Sequence, residues 1–295
     1  MWRYDLILVA ITAVWGSTFT IGKDLAMALS PLNYLSLRFV FAALFTSFLY
    51  RQLIPQLDSG ALHSGILLGV LLAGGFISQA VGLLYTTPSK AAIISGTSVV
   101  LVPFADYLLT GARLKIADVI SVALAFVGFS LVVFPGSIDD VNIGDLISSG
   151  SILFWALHIV YTGKFSRTTD AGQLTLVQFW ACALVLLLAF VSSRTVLEAN
   201  LLASDRWPTT LLQMLSLAYL VVFATVLVIL LQTWAQSKTE ATRVAIIFSL
   251  EPVFAALISA VAGAEKLSEL TNVRFLSGSS MIIAAVIVSG VYRGR

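Results

Sequence analysis

The sequence predicts an all-α integral membrane protein of ten transmembrane helices, arranged as two inverted five-helix repeats. Three observations carry that expectation. The first is composition: 59% of the 295 residues are apolar and 11% are charged, against about a quarter charged in an ordinary soluble domain. The mean hydropathy is +0.98, more apolar surface than a soluble fold of this size can hide. The second is length. A helical span needs roughly 20 residues, so ten spans use about 200 and leave short connections with no room for a soluble domain. The third is a repeat of charged, amide and aromatic positions at fixed offsets, described below. Composition excludes soluble enzymes, nucleic-acid binders, secreted disulfide scaffolds and disordered chains. A net charge of +2 is too small to point to an anionic polymer as partner.

The spans are expected at 5–24, 32–50, 64–85, 91–110, 116–134, 146–163, 174–193, 211–235, 242–262 and 272–292. Breakers and charge clusters separate them. In the first half these are Ser30-Pro31, Arg51 to Pro55, Thr87 to Lys90, Gly111 to Lys115, and Pro135 to Asp140. In the second they are Lys164 to Asp170, Arg206 to Pro208, Lys238 to Arg243, and Glu265 to Glu269. Only helices satisfy this much backbone in lipid with so few polar side chains. A β-barrel would show alternating ten-residue segments instead. Residues 1–5 run straight into the first apolar stretch without a small-residue cleavage site, which reads as a first span and not a cleaved signal. The single cysteine, Cys182, lies inside an apolar run, where helix packing is its expected role.

Orientation follows from the basic residues. With the N-terminus cytoplasmic, ten Lys and Arg fall inside and six outside, with Arg38 left within a span. The loop holding Asp139, Asp140 and Asp145 has no basic residue and falls outside. Cytoplasmic N- and C-termini are the expectation, and the absence of an N-x-S/T acceptor site fits a bacterial origin.

The repeat divides the chain at about residue 135, giving units 1–135 and 136–295. Lys90-Ala91-Ala92-Ile93-Ile94-Ser95 returns 153 residues later as Arg243-Val244-Ala245-Ile246-Ile247-Phe248. The same offset pairs Gln79 with Gln232 and Gly111 to Leu114 with Ala264 to Leu267. At an offset of 140, Asp5-Leu6-Ile7 matches Asp145-Leu146-Ile147, and Trp15 matches Trp155. Five spans is an odd number, so the second unit must sit upside down relative to the first. Inverted repeats are the usual architecture of secondary transporters, with the substrate site between them near mid-membrane.

These residues resemble the EamA-type branch of the drug/metabolite transporter superfamily. The most specific stretch is Glu240 to Leu257, with Leu250-Glu251-Pro252-Val253-Phe254-Ala255 at its centre. Trp15-Gly16-Ser17-Thr18-Phe19 and Arg38-Phe39 are also typical of the branch. The resemblance covers essentially the whole chain and implies a ten-helix exporter of small metabolites in a bacterial inner membrane, with amino-acid and aromatic amino-acid exporters among its relatives. The branch often carries an acid where this chain has Ala112, while Glu265 keeps it in the second half.

Several residues are candidates for chemistry. Glu251 lies about nine residues into its span, roughly 12 Å below the surface. A carboxylate there must be paired, protonated or facing a wet cavity. It is either a proton- or amine-binding acid, or an acid that satisfies backbone groups freed by Pro252. Arg38 sits about 10 Å inside the opposite face. It is either a counter-charge for a substrate carboxylate or a snorkelling, helix-tying arginine. Pro103 and Pro252 are expected to kink the fourth and ninth spans, either as gates or as static packing features. Trp15, Gln79, Tyr85, Trp155, His158, Tyr161, Gln232 and Trp234 are the expected cavity lining. His158 is either a proton carrier or a satisfied hydrogen-bonding residue. Trp2, Tyr4, Trp207 and Tyr292 read as interface anchors. Small residues at a spacing of four give the third span two packing faces, Gly65-Gly69-Ala73 and Gly74-Ser78-Gly82.

No protease, hydrolase or phosphate-binding motif occurs, nor a Cys/His cluster, so neither enzyme, cofactor nor metal is expected. The spans lack a basic cluster for phosphate cargo and the several acids of a metal-cation path. The expected function is secondary export of a small neutral or zwitterionic metabolite, such as an aromatic or hydrophobic amino acid. Drugs, nucleosides or sugars are the alternative cargo, and a passive channel the alternative mechanism. The expected partners are that solute and the lipid bilayer, with monomer and homodimer both open.

Overall fold

The structure, a computed structural model, describes residues 2–86, 88–133, 142–195, 202–204, 206–261 and 272–291. The expected loop with Asp139 and Asp140, Glu265 and Tyr292 lie outside the described residues, as do the side chains of Trp2 and Lys90. Among the described residues there are helices and connections and no strand.

Among the described residues, thirteen α-helices make ten crossings. The first unit holds α1 (Trp2–Leu29), α2 (Pro31–Leu49), α3 (Ser59–Gly82), α4 (Pro88–Gly96), α5 (Ser98–Thr110) and α6 (Ile116–Val133). The second holds α7 (Ile143–Phe165), α8 (Ala171–Thr195), α9 (Leu211–Val221), α10 (Val228–Gln236), α11 (Ala241–Phe248), α12 (Glu251–Val261) and α13 (Val273–Val291). Helices α4 and α5 form the fourth crossing, α9 and α10 the eighth, and α11 and α12 the ninth.

Local chemistry explains where the ends differ from expectation. Helix α3 starts five residues early because Asp58 caps it, its carboxylate accepting from the Ala61 N–H at 2.6 Å. Helix α7 starts at Ile143 because Asn142 and Asp145 form a capping box. Helix α1 runs on to Leu29 and stops at Ser30, which precedes Pro31. Ser30 has a φ of 72°, a conformation costly for a residue with a Cβ. The Ser204 N–H donates to Ser30 Oγ and holds it there.

The connections alternate between the two ends of the bundle. At one end Asp5 accepts two hydrogen bonds from Arg243, and Gln173 Nε2 donates to Gln56 O. At the other Lys23 Nζ donates to Thr86 O, Thr86 Oγ1 donates to Asp145, and Asn33 Nδ2 donates to Arg206 O. Large apolar side chains such as Leu108, Ile116, Leu211 and Leu212 are exposed on the periphery, as lipid-facing positions require.

Packing follows the repeat. Counterpart crossings meet: α2 lies against α8, and α6 against α13. Helix α1 runs along α12 as its counterpart α7 runs along α4 and α5. Helix α3 is gripped on both small-residue faces. A Cβ on Gly69 would fall 2.5 Å from Gln178 O in α8, and one on Gly82 2.0 Å from Ser148 Oγ in α7. Glycine therefore sets how closely these backbones approach. Cys182 is fully buried in this packing. The two largest hydrophobic clusters among the described residues lie one around α2, α3, α8 and α9, the other around α5, α7 and α11. Val14 and Trp15 of α1 pack against both.

Candidate substrate cavity

The fourth and ninth crossings are both broken, and at the same place. In the fourth, the Thr97 N–H donates to Ile94 O at 3.2 Å and the Val100 N–H to Thr97 O at 3.0 Å. In the ninth, the Leu250 N–H donates to Ile247 O at 3.1 Å and the Val253 N–H to Leu250 O at 3.0 Å. Each bond spans three residues, the tight 3₁₀ pattern. Donors and acceptors correspond one for one at the offset of 153 that relates the repeats in sequence.

The prolines do not correspond. At that offset Pro252 matches Val99, not Pro103. Pro103 is buried within the continuous helix α5 and does not mark the break. Pro252 does: it is the second residue of α12, where its missing N–H costs least.

A cavity lies where the two breaks face each other. Serines 95 and 98 with Gly96 line it from the fourth crossing, and Phe248, Ser249 and Glu251 from the ninth. Trp15 and Thr18 of α1, Leu72, Phe76 and Gln79 of α3, Trp155, His158 and Ile159 of α7, Gln232 of α10 and Ala245 of α11 complete the wall. The non-atom space between these residues, including the part open to solvent, amounts to about 680 Å³. Aromatic rings dominate it. Trp15 meets Phe248 edge-on at 5.0 Å, and Phe76 meets Trp155 edge-on at 5.0 Å.

Of the expected lining residues, Trp15, Gln79, Trp155, His158 and Gln232 are in the wall. Gln79 and Gln232, the repeat-related amides, enter from opposite halves. Tyr85, Tyr161 and Trp234 are not there. Tyr85 follows the end of α3 and is 44% exposed. Tyr161 stacks on Phe165 along α7 at 5.5 Å. Trp234 is 42% exposed and packs on Tyr4 near one end of the bundle. An amphipathic ring serves an interface as well as a cavity, so residue type alone does not separate these cases. Thr18, Phe76, Ser95, Phe248 and Ser249 are additions, and in sequence they are ordinary helix residues.

Glu251 faces the cavity. Its carboxylate makes no hydrogen bond or ion pair among the described residues. His158 is bonded through Nε2 to Gln178 Oε1 at 3.1 Å. Gln79 Nε2 donates to Ser95 Oγ at 2.9 Å. No group of three His, Cys, Asp or Glu able to hold a metal occurs among the described residues.

Arg38 does not snorkel. It is 2% exposed and ties the second crossing to the eighth. Its Nε donates to Thr225 Oγ1 at 2.6 Å and its Nη2 to Ala224 O at 3.3 Å. Its guanidinium lies 4.7 Å from the centre of the Phe76 ring. The eighth crossing winds as a π-helix over Val222–Leu227, where Thr225 Oγ1 donates back to Leu220 O. Ala224 O also accepts from Trp15 Nε1 at 3.2 Å. Arg38 thus supports two cavity rings from behind without lining the cavity itself.

A helical membrane bundle of two inverted halves, with broken helices meeting at a buried cavity, is the architecture of a membrane transporter. The chain belongs to the EamA-like transporter family, whose profile matches twice, over residues 2–134 and 142–291. It is similar to an uncharacterized transporter of Archaeoglobus fulgidus, 33% identical over 288 residues that cover 97% of this chain and 85% of that one. It is also similar to the uncharacterized transporter YyaM of Bacillus subtilis, 24% identical over 302 residues, 98% of this chain and 94% of the relative. A solved crystal structure matches over 99% of both chains with a TM-score of 0.77 at 16% identity, a likeness of fold.

Proposed function

We propose that this transporter is a secondary exporter of a small neutral or zwitterionic metabolite, with an aromatic or hydrophobic amino acid as the first candidate. The reading rests on one observation above all. The cavity between the two helix breaks is walled by Trp15, Phe76, Trp155 and Phe248, and carries an amide from each half. Aromatic walls take an apolar side chain, and the few polar groups orient it. In this reading units 1–135 and 136–295 rock about the breaks and expose the cavity to each face in turn. The membrane is the bacterial inner membrane with both termini in the cytoplasm, as the distribution of Lys and Arg favours.

The test is flux from purified protein in liposomes loaded with labelled amino acids, with and without a pH gradient. Efflux of one aromatic or hydrophobic class is the expected result. A rise with the gradient makes the exporter proton-linked, and indifference makes it a facilitator. Gln79→Leu, Gln232→Leu and Trp155→Ala are each expected to lower that flux while the protein still folds. If no amino acid moves while nucleosides, sugars or drugs do, the cargo assignment falls.

A further inference from the structure

We propose that the cavity recognises its cargo through an ammonium group and provides no cationic partner for a carboxylate. The preferred cargo is then a small aryl or alkyl amine, and an amino acid is carried by virtue of its amine. This rests on the cavity being the substrate site, as read above.

The inventory of donors and acceptors is lopsided. On the donor side, several of the cavity's groups are spent on the protein itself, with Ser98 Oγ and Gln232 Nε2 among the exceptions within the described residues. Gln79 Nε2 donates to Ser95 Oγ, Thr18 Oγ1 to Trp15 O, Ser249 Oγ to Ile246 O, and Trp15 Nε1 to Ala224 O. Helix ends are the usual source of backbone donors for anions, and at the two breaks the N–H groups of Thr97, Val100, Leu250 and Val253 are already bonded to backbone carbonyls. Pro252 has no N–H. No Lys or Arg is among the described lining residues, and Arg38 is committed behind the wall.

On the acceptor side, Gln79 Oε1, Gln232 Oε1 and the Glu251 carboxylate have no partner among the described residues. Gln232 is 2% exposed, lines the cavity, and its Oε1 has no hydrogen-bond partner. The Glu251 carboxylate, on the neighbouring ninth crossing, has none among the described residues. A buried acceptor without a donor costs free energy until a donor arrives, and a carboxylate within a membrane calls for a cation. An ammonium satisfies the Glu251 carboxylate through charge-assisted bonds. The faces of Trp15, Trp155, Phe76 and Phe248 favour the same cation and accept its apolar body.

Three ligands of one shape separate the possibilities: phenethylamine (amine only), phenylalanine (amine and carboxylate) and 3-phenylpropionate (carboxylate only). Binding is measured by scintillation proximity on purified protein. Phenethylamine is expected to bind at least as tightly as phenylalanine, with no binding of 3-phenylpropionate. Glu251→Gln is expected to weaken phenethylamine at least tenfold, the scale of a lost hydrogen bond to a charged group. Glu251→Asp is expected to recover part of that loss, which separates charge from fold. Binding of phenylalanine and 3-phenylpropionate without phenethylamine overturns the inference and leaves the exporter reading standing. Failure of all three ligands to bind overturns both.

Discussion

At the break of the fourth crossing stands Ser98; at the matching point of the ninth stands Glu251. The two breaks share their backbone hydrogen bonds, donor for donor, and share a cavity. They differ in side-chain chemistry and in freedom. The ninth crossing carries the acid and a proline beside it, so its break is covalently enforced: Pro252 has no N–H to give back to Phe248. The fourth has Val99 there, whose N–H is available to a straighter helix. Architecture in this protein is therefore symmetric, while the cavity's acid stands in the second half and the break without a proline in the first.

That contrast can be broken most severely at the anchor of the ninth crossing. Arg243 near the start of α11 and Asp5 of α1 form a bidentate, buried ion pair, with Nη2 to Oδ2 at 2.7 Å. Asp5→Ala strands a buried guanidinium and is expected to cost about 3–5 kcal/mol, read as a large fall in thermal unfolding temperature in detergent. An unchanged unfolding temperature would mean that the second half needs no such anchor.

Next in size is the acid itself. Glu251→Gln is expected to lower transport at least tenfold while elution on size exclusion stays unchanged, since a hydrogen bond to a charged group is lost. Transport at the wild-type rate would remove the asymmetry on which the comparison stands. Val99→Pro gives the first break the constraint of the second. It is expected to reduce flux several-fold with equilibrium binding retained, because the fourth crossing can no longer recover its helical bond. Flux and binding that fall together would show a damaged cavity and not a fixed hinge. The smallest effect belongs to Ser98→Ala, the counterpart of Glu251, with flux within about twofold of wild type, as befits one neutral hydrogen bond at most.

How much of this was legible beforehand differs by level. All ten crossings were, because a run of about 20 apolar residues is a property of the chain and needs no partner to be recognised. The repeat was legible too, because Gln79 and Gln232, or Lys90 and Arg243, match at one offset whatever surrounds them. The cavity was legible in part. Trp15, Gln79, Trp155, His158 and Gln232 fell within it, while Tyr85, Tyr161 and Trp234 did not.

By itself, then, the sequence determined the class, the crossings, the repeat and the presence of an acid within the ninth span. Only the tertiary structure decided which way each helix turns about its axis. Apolar spans expose weak periodicity, since lipid and core are both apolar, and rotation is settled by close packing such as Gly69 on α8 and Gly82 on α7. The Asp5–Arg243 pair joins residues 238 positions apart. The π-helix at Val222–Leu227 exists where Arg38 and Trp15 both reach Ala224 O. The bare acceptors of Gln232 and Glu251 are also products of that packing. It sets Glu251 in the cavity wall with no side-chain partner among the described residues.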